Sequence, residues 1–313
     1  MVPPVGAVLD FVVDRMQIDA AWSLRDDRSL TWWGSSLAQR VWAAPARQIH
    51  DVEFATLHIE TDLLADVSPD VTTFERLAAV NRFASLSAYV ADPATCSVRL
   101  HASLALTTDN LPMARALALH AVALQVADAH AEAGALADAF GAQVAASAHP
   151  LSGPRATPDD MLGVVAIYQE RGQDPSPFTT EELASIVHGE PRPWLTASND
   201  LHRFDAELAF AGDAPARLEF DADSPHPSLG TGLQIRLRLP VEPDAAVAQR
   251  LNSAERLEPD AHQLGGWCVD DGRGLLFAGF LPSGAHKPGL ARAMAYHMAA
   301  RSDWAQALLF PSA

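Results

Sequence analysis

The chain has 313 residues, 49% of them hydrophobic and 19% charged, which suits two ordinary domains with their own cores and excludes a disordered polymer. Its formal net charge of −17 argues against nucleic acid and against an anionic membrane surface, because both need a basic face. The two cysteines, Cys96 and Cys268, are too few to staple a chain of this length and fit a reducing cytoplasm; no apolar run approaches the ~20 residues of a membrane span, and the N-terminus reads as no signal peptide.

In chain order, the spacing of Val8, Leu9, Val12 and Val13 predicts a helix from Gly6 to Asp19. Leu30 to Trp33 predicts a strand, Gly34–Ser35–Ser36 its turn, and Gln39 to Ala43 its return. Glu53 to Thr61 follows as a third strand, with Ala55, Leu57 and Ile59 on one face. Thr72 or Thr73 can cap a helix carrying Phe74, Leu77, Ala78 and Val80. Leu86 to Ala91 is a fourth strand, and Asp92–Pro93 the turn after it. The fifth strand alternates most cleanly: Cys96, Val98, Leu100, Ala102, Leu104 and Leu106 point one way, and Ser97, Arg99, His101 and Ser103 the other. That pattern predicts a sheet with one buried face, with Cys96 inert inside it. Asp109 or Asn110 caps a long alanine-rich helix with Pro112 in its first turn. Its composition carries it to about Ala146, with Gly134 the natural place for a break.

Pro150, Gly153 and Pro154 mark residues 147–157 as a linker between a first domain, 1–146, and a second, 158–313. Helices are predicted from Pro158 to Arg171 and from Thr179 to Val187, the latter opened by Thr179–Thr180–Glu181–Glu182. Alternation then predicts strands over Phe204–Phe210, Leu218–Asp221 and Leu233–Val241. A helix from about Pro243 to Leu257 leads to a hairpin, Leu264–Val269 and Leu275–Leu281, turning through 271–274. A last helix runs from Pro288 to about Leu308.

The chain repeats itself. Met113–Ala114–Arg115–Ala116–Leu117–Ala118–Leu119–His120 returns as Leu290–Ala291–Arg292–Ala293–Met294–Ala295–Tyr296–His297. Arg76–Leu77 and Asn81–Arg82 return as Arg250–Leu251 and Glu255–Arg256, and Leu86–Asp92 as Leu264–Asp270. The offset stays near ~177 residues, the signature of an internal duplication. The fold expected is therefore α+β: two repeats of α-β-β-β-α-β-β-α, with antiparallel sheets packed on helices and a pseudo-two-fold relation between the copies.

That order of elements, with the acidity and the size of each half, resembles the type III secretion chaperones and the YbjN-like proteins grouped with them. The resemblance covers both halves and has no signature motif. It implies a non-enzymatic chaperone or adaptor that binds an extended polypeptide partner, without cofactor. Small members resemble homodimers; here one chain supplies both copies, which implies a monomer with an internal pseudo-dimer, in the cytoplasm.

One asymmetry locates a candidate site. The second half is expected to present Asp205, Glu207, Glu219, Asp221, Arg236 and Arg238 on a solvated sheet face. The matching face of the first half would present Trp33, Val41, Val52 and Phe54, an apolar patch that either a helix or a partner polypeptide must cover. His120 and His297, at equivalent helix positions, fit a shared structural hydrogen bond. The adjacent acidic pairs fit caps and turns, because neighbouring residues do not converge on one face. No residues fall at metal-ligand spacing, and the nucleophile-elbow, zincin, P-loop and dinucleotide motifs are missing. The alternative of a different class is an enzyme whose active site, in a cleft between the halves, is assembled from scattered residues.

Overall fold

A computed structural model describes residues 3–49, 51–160, 174–189, 191–212, 214–258, 262–270 and 274–311. The chain forms two compact units. Unit 1 comprises Met1–Leu77, Leu86–Ala166 and Asn252–Leu264; unit 2 comprises Ala78–Ser85, Ile167–Leu251 and Gly265–Ala313. Both are α+β with an antiparallel sheet. Among the described residues no helix is long and apolar enough to cross a membrane. The helix predicted over 158–171 falls largely outside the described residues, as does most of the turn at 271–274.

Unit 1 opens with α1 (Val5–Met16), which buries Val8, Leu9 and Val12 and stops at Gln17 in the left-handed conformation. Eight strands follow: β1 (Ser23–Arg25), β2 (Ser29–Trp32), β3 (Gln39–Ala43), β4 (Arg47–Ile49), β5 (Val52–Ala65), β6 (Ala88–Asp92), β7 (Ser97–Leu106) and β8 (Gln143–Val144). The sheet runs β1-β2-β3-β5-β7-β6, with β4 and β8 also paired to the long β5. Between β5 and β6 lies α2 (Val71–Asn81), and between β7 and β8 lies α3 (Leu111–Phe140). Asp70, not a threonine, caps α2: its carboxylate accepts the Thr73 amide at 2.9 Å. Helix α3 runs unbroken through Gly134 and stops at Gly141, whose φ of 62° the chain needs to bring its amide back to the last turn.

Register fixes the two faces of this sheet. Val41 lies opposite Ile59, and Ile59 opposite Ala102, so Val41, Leu57, Ile59, Leu100 and Ala102 share one face, against which α3 packs. Trp42 lies opposite His58, and Glu60 opposite His101, so these lie on the other. On the α3 side Gln125 is fully buried and makes four hydrogen bonds. Its oxygen accepts from Thr61 (2.9 Å) and Gln39 (3.3 Å), and its nitrogen donates to the Ile59 carbonyl (3.1 Å) and Ser87 (3.0 Å). That network ties helix to sheet at one register.

Unit 2 has β9 (Trp194–Asp200), β10 (Arg203–Leu208), β11 (Ala216–Asp221), β12 (Gly232–Leu239), β13 (Gly266–Asp270) and β14 (Gly274–Pro282). Their order is β13-β14-β12-β11-β10-β9. Helix α4 (Thr180–Val187) starts as its sequence predicts, the Thr179 hydroxyl accepting the Glu182 amide at 3.2 Å. It packs on β9, β10 and on α6 (Leu290–Leu309), which packs in turn on β11 and β12. Glu182 also accepts the Ala291 amide at 3.3 Å, so one carboxylate satisfies the first turn of α6. Helix α5 (Ala245–Leu257) joins β12 to β13. Phe204, Phe220, Trp267 and Phe277 fill the core.

Three expectations change. Strands β1, β4, β8 and β9 add to the three-plus-two pattern of each half; the short ones carry too little alternation to register, and β9, Trp194–Leu195–Thr196–Ala197–Ser198–Asn199–Asp200, has no apolar alternation. Cys96 has φ 47° in the turn before β7 and is exposed, so it does not enter the apolar face. Residues 147–157 do more than connect: Ser147, Ser152 and Arg155 bond to Ser36, Ala21 and Trp33 in unit 1.

Candidate functional site

The four residues expected to form an apolar face in the first half do not share one. Trp33 is buried: its indole N–H donates to Ser147 at 3.0 Å, and its ring stands edge-on to His149 at 4.9 Å. Val41 is buried under α3, on the face opposite Phe54, because β5 residues 54, 56, 58 and 60 alternate with 55, 57 and 59. Val52 and Phe54 lie on the side away from α3. Their companions are Trp42 and, through the pairs Leu24–Thr31, Thr31–Arg40 and Arg40–Glu60, Leu24. Relative exposures are 41% for Leu24, 36% for Trp42, 52% for Val52 and 9% for Phe54. A one-residue error in reading β3, Val41 for Trp42, exchanges core for surface.

Beneath Trp42 the same face turns polar and buried. The indole lies flat on the His58 ring, centroids 4.1 Å apart with 14° between planes. His58 Nδ1 is 3.3 Å from His101 Nε2, and His101 Nδ1 is 2.5 Å from Gln263 Oε1. Gln263 Nε2 donates to Asn252 at 3.3 Å, which leaves the amide oxygen for His101. His101 Nδ1 therefore carries a proton and its Nε2 accepts one from His58 Nδ1–H, so both rings are neutral with fixed tautomers. Burial drives His101 down to about 3 and His58 down to about 4.

Glu60 lies beside this pair. Burial opposes its charge, but the charge that His101 would carry if protonated, and the guanidinium groups of Arg256 and Arg99, outweigh that and hold the carboxyl below its ordinary range. Arg256 Nε donates to it at 2.7 Å, and Arg99 Nη1 stands 3.9 Å away. Arg99 continues the series to Asp62 (3.6 Å) and Asp92 (3.3 Å). Arg256, Asn252 and Gln263 all come from residues 252–264, the part of unit 1 that follows most of α5. That segment also sets the Gln263 carbonyl on the Ser103 amide (2.9 Å) and the Ser253 hydroxyl on the Ala91 carbonyl (2.9 Å). It buries Arg99, His101 and Ser103, so β7 has two covered faces where its alternation predicts one.

The sequence contains a partial signal for this cluster. His58 and Glu60 stand at alternate positions of β5, and Arg99, His101 and Ser103 at alternate positions of β7; nothing local tells that the two rows are adjacent or that residues 252–264 close over them.

The charged face of unit 2 is placed as expected in one respect: Glu219 lies opposite Arg236 and Glu207 opposite Arg217. Asp205, however, lies opposite Glu219; burial, and then that neighbouring charge, raise its carboxyl above the ordinary range. Among the described residues no group of three or more His, Cys, Asp or Glu is placed to hold a metal ion. No family model, no curated protein and no solved structure matches this chain.

Proposed function

We propose that the chain is a non-enzymatic polypeptide-binding protein, a chaperone or adaptor, made of two copies of one α-β-β-β-α-β-β-α unit. The observation that carries this reading is that Leu24, Trp42 and Val52 are exposed on one face of the first sheet of an acidic protein. Exposed apolar side chains along a sheet face are where an extended partner segment would gain burial. Two features support the duplication. The core strands run β2-β3-β5-β7-β6 in one sheet and β10-β11-β12-β14-β13 in the other, the same order relative to sequence. The Ser103 amide bonds the Gln263 carbonyl, and the Phe280 amide bonds the Ser85 carbonyl (3.1 Å), at matching points of the sequence repeat. The likeness in element order to secretion chaperones gives the kind of partner: an extended segment of another polypeptide, in the cytoplasm. Fold likeness is an associational warrant, so the test falls on the patch itself.

The immobilised protein, challenged with native cell extract, should retain a defined polypeptide. The Trp42→Ser/Val52→Ser variant should lose it while keeping its far-ultraviolet circular dichroism. Equal retention by both forms refutes the patch. The His58–His101–Gln263 series beside Glu60 favours the second reading, an enzyme. A small metabolite that co-purifies with the wild type and is lost from a folded His58→Gln variant would establish that one instead.

A further inference from the structure

The same dock is built twice with different chemistry. In unit 2 residues 78–85 are held by apolar contact and by hydrogen bonds that acid does not break: Ala78 packs with Cys268, Leu276 and Ala278, all buried, the Asn81 amide donates to the Trp267 carbonyl (3.5 Å), His226 Nε2–H donates to the Phe83 carbonyl (3.1 Å) whether or not the ring is protonated, and Arg82 faces Asp270 at 3.7 Å. In unit 1 residues 252–264 are held by the His101–Gln263 bond, by Arg256 on Glu60 and by the Gln263 carbonyl on Ser103. Where one dock has Leu276 and Ala278, the strand of the other has Arg99 and His101.

We propose that the neutral His58–His101 pair is an acid-released latch that holds residues 252–258 and 262–264 against the first sheet. Every nitrogen that joins the pair to its neighbours is committed. His101 uses Nδ1–H on Gln263 and the Nε2 lone pair on His58 Nδ1–H. A solvent proton can add to His58 at Nε2 without breaking that series. A second proton can add to His101 only at Nε2, which puts two N–H groups head to head at 3.3 Å between two cations. The charged and titratable groups around the pair relieve this only in part: the Glu60 charge favours protonation of both rings, and burial outweighs it. On that face of the sheet they are Glu60 and Asp62 from β5, Arg99 from β7, Arg40 from β3 and Asp92 from β6; the segment carries Arg256, Glu255 and His262. The nearest anion, Glu60, is already engaged by Arg256 and Arg99, and Asp62 by Arg40 (2.5 Å) and Arg99. Release lets both rings reach water and take protons at their ordinary value of 6.5, so acid favours the undocked segment.

The sign is that of groups whose basicity is lowered by docking: attachment is full above pH 6.5 and is lost as pH falls toward about 4. In that window the docking equilibrium weakens about tenfold per pH unit for each histidine. Amide exchange of the whole protein, corrected for the intrinsic pH dependence of exchange, reads both docks at once. Between pH 7 and pH 4 protection of residues 252–258 and 262–264 should fall by at least about a hundredfold while that of residues 78–85 holds. The His101→Gln variant, whose amide can donate to Gln263 and accept from His58 without titrating, should lose protection of that segment at pH 4 by at least about tenfold less than the wild type, because one titrating ring is gone. Should it fail to fold, His58→Gln, which likewise leaves one titrating ring, is read the same way. Parallel loss in both segments, or an acid loss in the glutamine variant equal to the wild type, overturns the latch.

Discussion

Replacing Arg256 by methionine removes the cation that lies nearest Glu60 while keeping the volume of the side-chain stem. The pair is 2.7 Å apart, and the Glu60 side chain is 6% exposed against 20% for Arg256. What remains for Glu60 is Arg99 at 3.9 Å, beyond hydrogen-bond distance. Breaking a fully buried pair from one side costs about 3–5 kcal/mol; with Arg99 still near, we expect about 2–4 kcal/mol here. The opposite deletion, Glu60→Met, leaves a guanidinium on a flexible stem at the rim, and should cost less, about 1–2 kcal/mol. The double variant should recover most of the Arg256→Met loss, because no charge is then stranded. Urea unfolding of the three variants at pH 7, followed by far-ultraviolet circular dichroism, measures all three terms. The Arg256→Met loss should also shrink on acidification, since protonating Glu60 removes the uncompensated charge. A loss below about 0.5 kcal/mol for Arg256→Met, or equal losses for the two single variants, would refute the buried-pair reasoning.

Trp33 and Trp42 should separate by their burial: Trp33→Ala should cost about 3–5 kcal/mol as a core deletion, and Trp42→Ala less than about 2, measured by the same unfolding curves. Burial, and then the Glu132 charge, push the Asp128 carboxyl up to about 7, so its protonated form favours the fold. That contribution is complete below the ordinary value of 3.8 and is lost as pH rises through about 7; Asp128→Asn should flatten the fall of Tm between pH 5 and pH 8. Gly265 sits at φ 140°, and a Cβ there would meet the Ala278 carbonyl oxygen at 2.3 Å, so Gly265→Ala should destabilise by about 3 kcal/mol or more, read as a lowered urea midpoint.

Local periodicity was enough for the α+β class, for most strands and for all the helices except the one outside the described residues. The reason is that alternation in β5, β7 and β12, and the cap at Thr179, are properties of a few adjacent residues. The return of residues 113–120 at 290–297 is likewise a property of the sequence alone and needs no fold to be seen. What lay beyond the sequence was the identity of each face. Val41 and Trp42 are neighbours on a short strand, and only the register of β3 against β5 decides which is core and which is surface. His101 reads as a solvent-facing residue of an alternating strand; it is buried because a segment more than 150 positions later folds onto it and supplies Gln263. A strand carries in its own residues the spacing of its two faces, but which of them is covered depends on where the rest of the chain finds its lowest free energy.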